Sequence, residues 1–109
     1  MKIEIIDYKG NMVIAPSGDV DMHSSPTLRK ELLKQIDEKV PCLIVDFKNV
    51  SYIDSSGIAT FVEGLKMMNT YKGQLKLTGM PDEIIEIFKF TKLDSIFEIY
   101  TNIDDALNS

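Results

Sequence analysis

"NVSYIDSSGIATFVEGLKMM", residues 49–68, ends an apolar run on Asp-Ser-Ser-Gly and enters an amphipathic helix with no linker between the two. The residues before the aspartate read as a strand. From just after Ser55, the residues Ile58, Phe61, Val62, Leu65 and Met68 recur at helical spacing on one side, until "YKGQ" stops the helix at Gly73. A strand that passes directly into a helix is the repeating unit of an α/β chain, so this stretch decides the fold class. It also raises a chemical question. Two adjacent hydroxyls at a helix entrance can cap the helix, attack a substrate or receive a modification.

The flanking sequence extends the pattern in both directions. Upstream, "CLIVDF" at Cys42–Phe47 is continuously apolar, as expected of a strand covered on both faces, and "VSYI" either extends or follows it. Before it, Leu28, Leu32, Leu33, Ile36 and Val40 mark a helix over Ser24–Val40, with Pro26 in its first turn and Ser24 or Ser25 available as cap. Lys2–Tyr8 and Met12–Ala15 are β-rich runs separated by "KGN", so Gly10-Asn11 predicts a hairpin turn, and "PSGD" ends the hairpin. Downstream, "QLKLTG" alternates like a strand. Pro81 opens a helix with Ile84, Ile87 and Phe88 on one face, "IFEIY" at Ile96–Tyr100 is a further strand, and a short helix follows around Asp104–Leu107. The predicted order is β-β-α-β-α-β-α-β-(α). It implies an α/β mixed sheet that starts with a hairpin and continues in parallel strands joined by helical crossovers.

Composition narrows the functions this fold could carry. With 109 residues, 44% hydrophobic and 27% charged, the chain reads as a single domain over residues 1–109. A net charge of -5 lacks the basic footprint of a nucleic-acid binder. Cys42 is the only cysteine and opens an apolar run, where a buried inert thiol is the ordinary reading; His23 is the only histidine, so no zinc or iron ligand set is spelled out. No cofactor motif is present either. "MKIEIIDYKGN" alternates like a strand, and no run approaches the ~20 apolar residues of a membrane span, so the expectation is a cytoplasmic protein without membrane insertion.

The hydroxyls admit several chemistries. As a cap, Asp54, Ser55 or Ser56 would satisfy the helix's first amides and stabilise it by about 1 kcal/mol. As a nucleophile, a serine here would lack the Gly-x-Ser-x-Gly elbow, and the only imidazole is His23 in "DMHSS". A phosphate-cradling loop would need more than the single Gly57. As a phosphorylation substrate, a serine would gain about -1.5 to -2 charges, which the free amides and dipole of a helix N-terminus are expected to accommodate. On a docking surface that charge is costly. One partner carboxylate ~4 Å away adds roughly 4 kcal/mol per unit charge at an effective dielectric near 20. Reversing a preference from 1:99 to 99:1 takes ~5.5 kcal/mol. One hydroxyl could therefore be a complete switch.

"DFKNVSYIDSSGIATFV" resembles the signature of the STAS domain, particularly the small anti-sigma-factor antagonists of bacterial partner-switching systems. The resemblance covers nearly the whole chain. It includes the hairpin, "SGDVD" with Gly18 and Asp21, the Asp-Ser-Ser-Gly entrance, and "FKFTKLDSIFEIY" with its Leu-Asp turn. It implies a STAS-like sheet with helices packed mainly on one side. It further implies a non-enzymatic protein that binds an anti-sigma factor, usually a serine kinase with bound ATP or ADP, and so frees a sigma factor for transcription. By the same resemblance Ser55 accepts the phosphate, which releases the kinase, and a PP2C-type phosphatase resets the switch. Asp54, Ser56 and Gly57 would shape the loop, and Asp21, with Ser24 beside it, would contact the kinase from the neighbouring loop. For Asp21 the alternative is a loop or helix-capping aspartate. The face of the second helix opposite its core stripe, with Thr60, Glu63, Gly64 and Met67, would be the next contact surface. For Met67 an ordinary partly buried side chain is the favoured reading, and a flexible apolar anchor the alternative. The sequence departs from the family pattern at Ile58-Ala59-Thr60, where Leu-Gly commonly follows the glycine, which bears on partner choice. A non-phosphorylated subunit of a phospholipid-transport ABC complex and a stressosome-like scaffold are alternatives on the same fold. A monomer is expected at this size.

Overall fold

The computed structural model describes residues 1–8 and 11–109. The predicted Gly10-Asn11 turn therefore falls partly outside the described residues. Strand β1 (Lys2–Tyr8) pairs antiparallel with β2 (Asn11–Val20), and α1 (Ser25–Asp37), β3 (Cys42–Asp46), β4 (Val50–Ile53) and α2 (Ser55–Asn69) follow. Then come β5 (Gln74–Thr78), α3 (Asp82–Phe90), a 3₁₀ turn at Leu93–Ser95, β6 (Glu98–Tyr100) and α4 (Ile103–Leu107). The sheet runs β1-β2-β3-β5-β6, with β4 attached to β2, and every pairing after the hairpin is parallel. This is the expected α/β mixed sheet.

Two expectations about the strands need correction. The second hairpin strand does not stop at "PSGD" but continues to Val20. Gly18, at φ +96°, lets it bend there: residues 12–14 pair with β3, the register shifts between Gly18 and Asp19, and the remainder pairs with β4. A left-handed φ is open to glycine at no steric cost, so the glycine bends the strand rather than ending it. "VSYI" is likewise a strand of its own. It lies against the far half of β2 and does not extend the central β3.

The strands bury both faces unequally. Leu28, Leu32 and Ile36 of α1, Phe61 and Met68 of α2, and Ile84 and Phe88 of α3 share one core with Leu43, Val45, Phe47, Leu75 and Leu77. Phe47 lies at its centre, with ring centroids 5.1 Å from Phe61 and 6.2 Å from Phe88. The opposite face carries a small cluster of Val13, Ile44 and Ala106, covered by α4. Helices thus pack mainly on one side. Lys76 is buried under α4, where its Nζ donates to the Ala106 carbonyl at 2.8 Å and to Ser109 Oγ at 2.6 Å. The ammonium thereby satisfies a carbonyl at the C-terminal end of α4, where the helix dipole favours a cation.

Helix α2 corrects the expected core stripe. Its buried residues are Gly57, Thr60, Phe61, Gly64 and Met68, whereas Ile58, Val62 and Leu65 are only partly buried. Thr60 and Gly64, expected on the surface opposite the core, point inward instead. Small side chains at Gly57, Thr60 and Gly64 let the helix lie close to the sheet and turn its branched apolar residues toward its flank. A Cβ on Gly57 would come within 2.6 Å of Val20 Cγ1 and 2.9 Å of the Val20 carbonyl oxygen.

Candidate functional site

The site is built where β2 and β4 end side by side, with Val20 opposite Ile53 and the Asp54 amide donating to the Val20 carbonyl at 3.1 Å. The loops Asp21–Ser24 and Asp54–Gly57 therefore share one edge of the sheet, beyond the carboxyl ends of its strands, where α/β sheets place their binding loops.

In the second loop, Asp54 is the cap. Its Oδ1 accepts from the Ser56 amide at 2.9 Å and the Gly57 amide at 3.2 Å. The three alternatives for a cap thus resolve to the aspartate, and two amides expected to be free for a phosphate are already taken. Ser55 occupies the first helical position, exposed, and its hydroxyl makes no hydrogen bond among the described residues. Ser56 is half-buried, and its carbonyl accepts from the Thr60 hydroxyl at 3.0 Å. Gly57 sits where no side chain fits.

Asp21 organises the first loop. Its Oδ1 accepts from the His23 amide at 2.9 Å and the Ser24 amide at 3.1 Å, while Ser24 Oγ accepts from the Asp21 amide at 2.9 Å and donates to the Asp19 carbonyl at 2.7 Å. The hydrogen bond from the Ser24 amide, ahead of that from His23, holds the Asp21 carboxyl below the usual carboxylate value despite some opposing desolvation. Asp21 and Ser24 are thus the reciprocal clasp that starts α1, and Ser25 Oγ donates to the Asp21 carbonyl.

Beside Ser55 an open groove of about 580 Å³ runs down α2, lined by Ile58, Ala59, Val62 and Met67, with Lys66 toward its far end and Thr91 contributed from beyond α3. Glu63 borders it and is held by Arg29 of α1, whose Nε donates to Oε1 at 2.6 Å and Nη2 to Oε2 at 3.2 Å. That hydrogen bond is the main cause lowering the Glu63 carboxyl's pKa and raising that of the guanidinium. Sequence reasoning named Glu63 and Met67 but assigned Ile58 and Val62 to the core. The signal available was the small-residue spacing Gly57, Thr60, Gly64, which marks the buried side. Among the described residues, no group of three or more His, Cys, Asp or Glu is placed to hold a metal ion, and no helix is long and apolar enough to cross a membrane.

The molecule thus combines a mixed sheet with one main helical layer, an exposed serine at a helix entrance and an apolar groove beside it. The chain belongs to the STAS domain family, whose profile matches residues 2–106. It is 30% identical over 99 residues to the anti-sigma-B factor antagonist of Bacillus subtilis (strain 168), covering 91% of this chain and 90% of the relative. The anti-sigma-B factor antagonist of Listeria monocytogenes serovar 1/2a is 31% identical over 93 residues, covering 84% of this chain and 80% of the relative. The crystal structure of an anti-sigma factor antagonist from Mycobacterium paratuberculosis has the same fold, with a TM-score of 0.90 at 23% identity, covering 98% of this chain and 91% of that one. Anti-sigma factor antagonists such as these relatives are regulatory proteins and not enzymes.

Proposed function

We propose that the chain is an anti-sigma factor antagonist that binds a serine-kinase anti-sigma factor and is released when Ser55 is phosphorylated. The observation that carries this reading is the division of labour at the helix entrance: Asp54 does the capping, so the exposed Ser55 hydroxyl is left without a structural task. The kinase, with ATP or ADP bound, docks across the Asp21 and Asp54 loops and along the groove of Ile58, Val62 and Met67, and its sigma factor is set free. A phosphoryl group on Ser55 puts a dianion at the edge of that surface, where an apolar contact must desolvate it. A PP2C-type phosphatase restores the hydroxyl. The antagonist acts in the cytoplasm as a monomer. Thr60 and Gly64 support α2 from its buried side and Glu63 contributes through its exposed edge.

Binding of the cognate kinase to the Ser55, Ser55→Ala and Ser55→Asp proteins, measured by isothermal titration calorimetry, tests the mechanism. Ser55→Ala should bind as tightly as the parent and Ser55→Asp at least tenfold more weakly. Equal affinities for all three would overturn it and favour a scaffold or a transport-complex subunit, in which Ser55 is only the first residue of a helix.

A further inference from the structure

The amides that a phosphate would seek at the start of α2 are held by a carboxylate. Asp54 Oδ1 accepts from both Ser56 and Gly57, and the Ile58 amide is already committed to the Asp54 carbonyl at 3.0 Å. A helix entrance ordinarily welcomes an anion through those donors. Here a dianion on Ser55 would have to displace Asp54 or stay outside. Displacing it would free a carboxylate next to the phosphate while losing the cap. The charged side chains of the two loops are Asp54 before α2 and Asp19 and Asp21 at and just beyond the end of β2, with His23 beside them, while Glu63 along the groove is already paired with Arg29 of α1. Thr91 is the wall residue beyond α3 and carries no charge, and the first lysine along α2 itself is Lys66, eleven residues and roughly three turns further on.

We propose that Asp54 is the positioning residue of the switch: by occupying the Ser56 and Gly57 amides it denies them to phosphoserine 55 and keeps the phosphoryl group turned outward onto the docking surface. A phosphate that capped the helix would be partly neutralised and drawn toward the backbone. One excluded by Asp54 stays a full, solvated charge that a partner must strip of water. The inference rests on the reading of Ser55 as the modified residue. It adds that the residue before the serine makes the modification effective without a change of fold.

The full-length chain with phosphoserine introduced at position 55 by genetic code expansion, with Asp54 or with Asp54→Asn, tests this without any kinase. Asn caps helices as well as Asp, so the variant keeps its fold. A ³¹P NMR titration reads the second ionisation of the phosphate, and ¹H–¹⁵N spectra read the Ser56 and Gly57 amides. With Asp54 present, the phosphate should ionise above the ordinary value near 6 and leave the two amide shifts close to those of the unmodified chain. Asp54→Asn should lower that pKa by about half a unit or more, because a like charge has been removed. Identical phosphate pKa values in the two proteins would overturn the proposal, as would large downfield shifts of the Ser56 and Gly57 amides on phosphorylation with Asp54 in place. Neither result depends on whether a host kinase modifies Ser55, so failure here is distinct from failure of the functional reading.

Discussion

At the scale of single residues, the site is held by close approach and by two aspartates. Gly57 meets Val20 and Ile53 so closely that Gly57→Ala must push apart the helix and the strand ends that carry both loops. The expected cost is ~1–3 kcal/mol, read as a lower urea midpoint at unchanged slope. Gly64 is the opposite case, since a Cβ there would meet Ile36 and Leu75 only at 3.7 and 3.9 Å. Gly64→Ala should stabilise the domain by about 0.5–1 kcal/mol, and kinase affinity should be unchanged because the residue faces the core. Asp21 gives a pH signature. Its folded pKa is depressed, so the clasp with His23 and Ser24 is complete above the ordinary carboxylate value and is lost only as pH falls through the lower folded one. The His23 and Ser24 amide resonances should therefore hold their positions through the range in which ordinary aspartates titrate and move only below it.

At the scale of elements, α2 shows what periodicity hides. Apolar residues at helical spacing locate the helix correctly, yet its buried side is chosen by where it can come nearest the sheet, and that belongs to Gly57, Thr60 and Gly64. Ile58 and Val62 consequently line the groove. Val62→Glu should cost about 1 kcal/mol, because the side chain is partly buried against the core yet short of the ~2–5 kcal/mol of a true core deletion, and should weaken kinase binding at least tenfold. A large loss of stability would return Val62 to the core. The helix exits carry a second lesson. Lys39, Lys72 and Lys92 follow α1, α2 and α3 with φ of 55°, 63° and 61°, positions where glycine is the unstrained choice. Each Lys→Gly change should add about 1 kcal/mol of stability.

Across the whole molecule, most of the topology was legible because each strand and helix announces itself in pattern and punctuation. What was not legible depends on contacts far apart in sequence. β2 outruns "PSGD" because β4, thirty residues later, supplies a partner for its last residues, and Gly18 bends it toward that partner. The role of Asp54 as sole side-chain cap of α2 was one of three options until the loop geometry was fixed. Charge is also arranged globally. Asp82, Glu83, Asp104 and Asp105 occupy the first turns of α3 and α4, Lys34, Lys66 and Lys89 occupy the last turns of α1, α2 and α3, and the net charge of -5 gives the molecule an acidic field. A basic surface on the kinase would be steered to it. Raising salt should slow association several-fold with a smaller effect on dissociation.

The most direct measurement is peptide-mapping mass spectrometry of the protein after incubation with ATP in an extract of its host whose kinases are demonstrably active. The expected result is a single phosphate on Ser55. An unmodified Ser55 in that extract, or phosphate on Ser56 alone, would contradict partner switching through this serine.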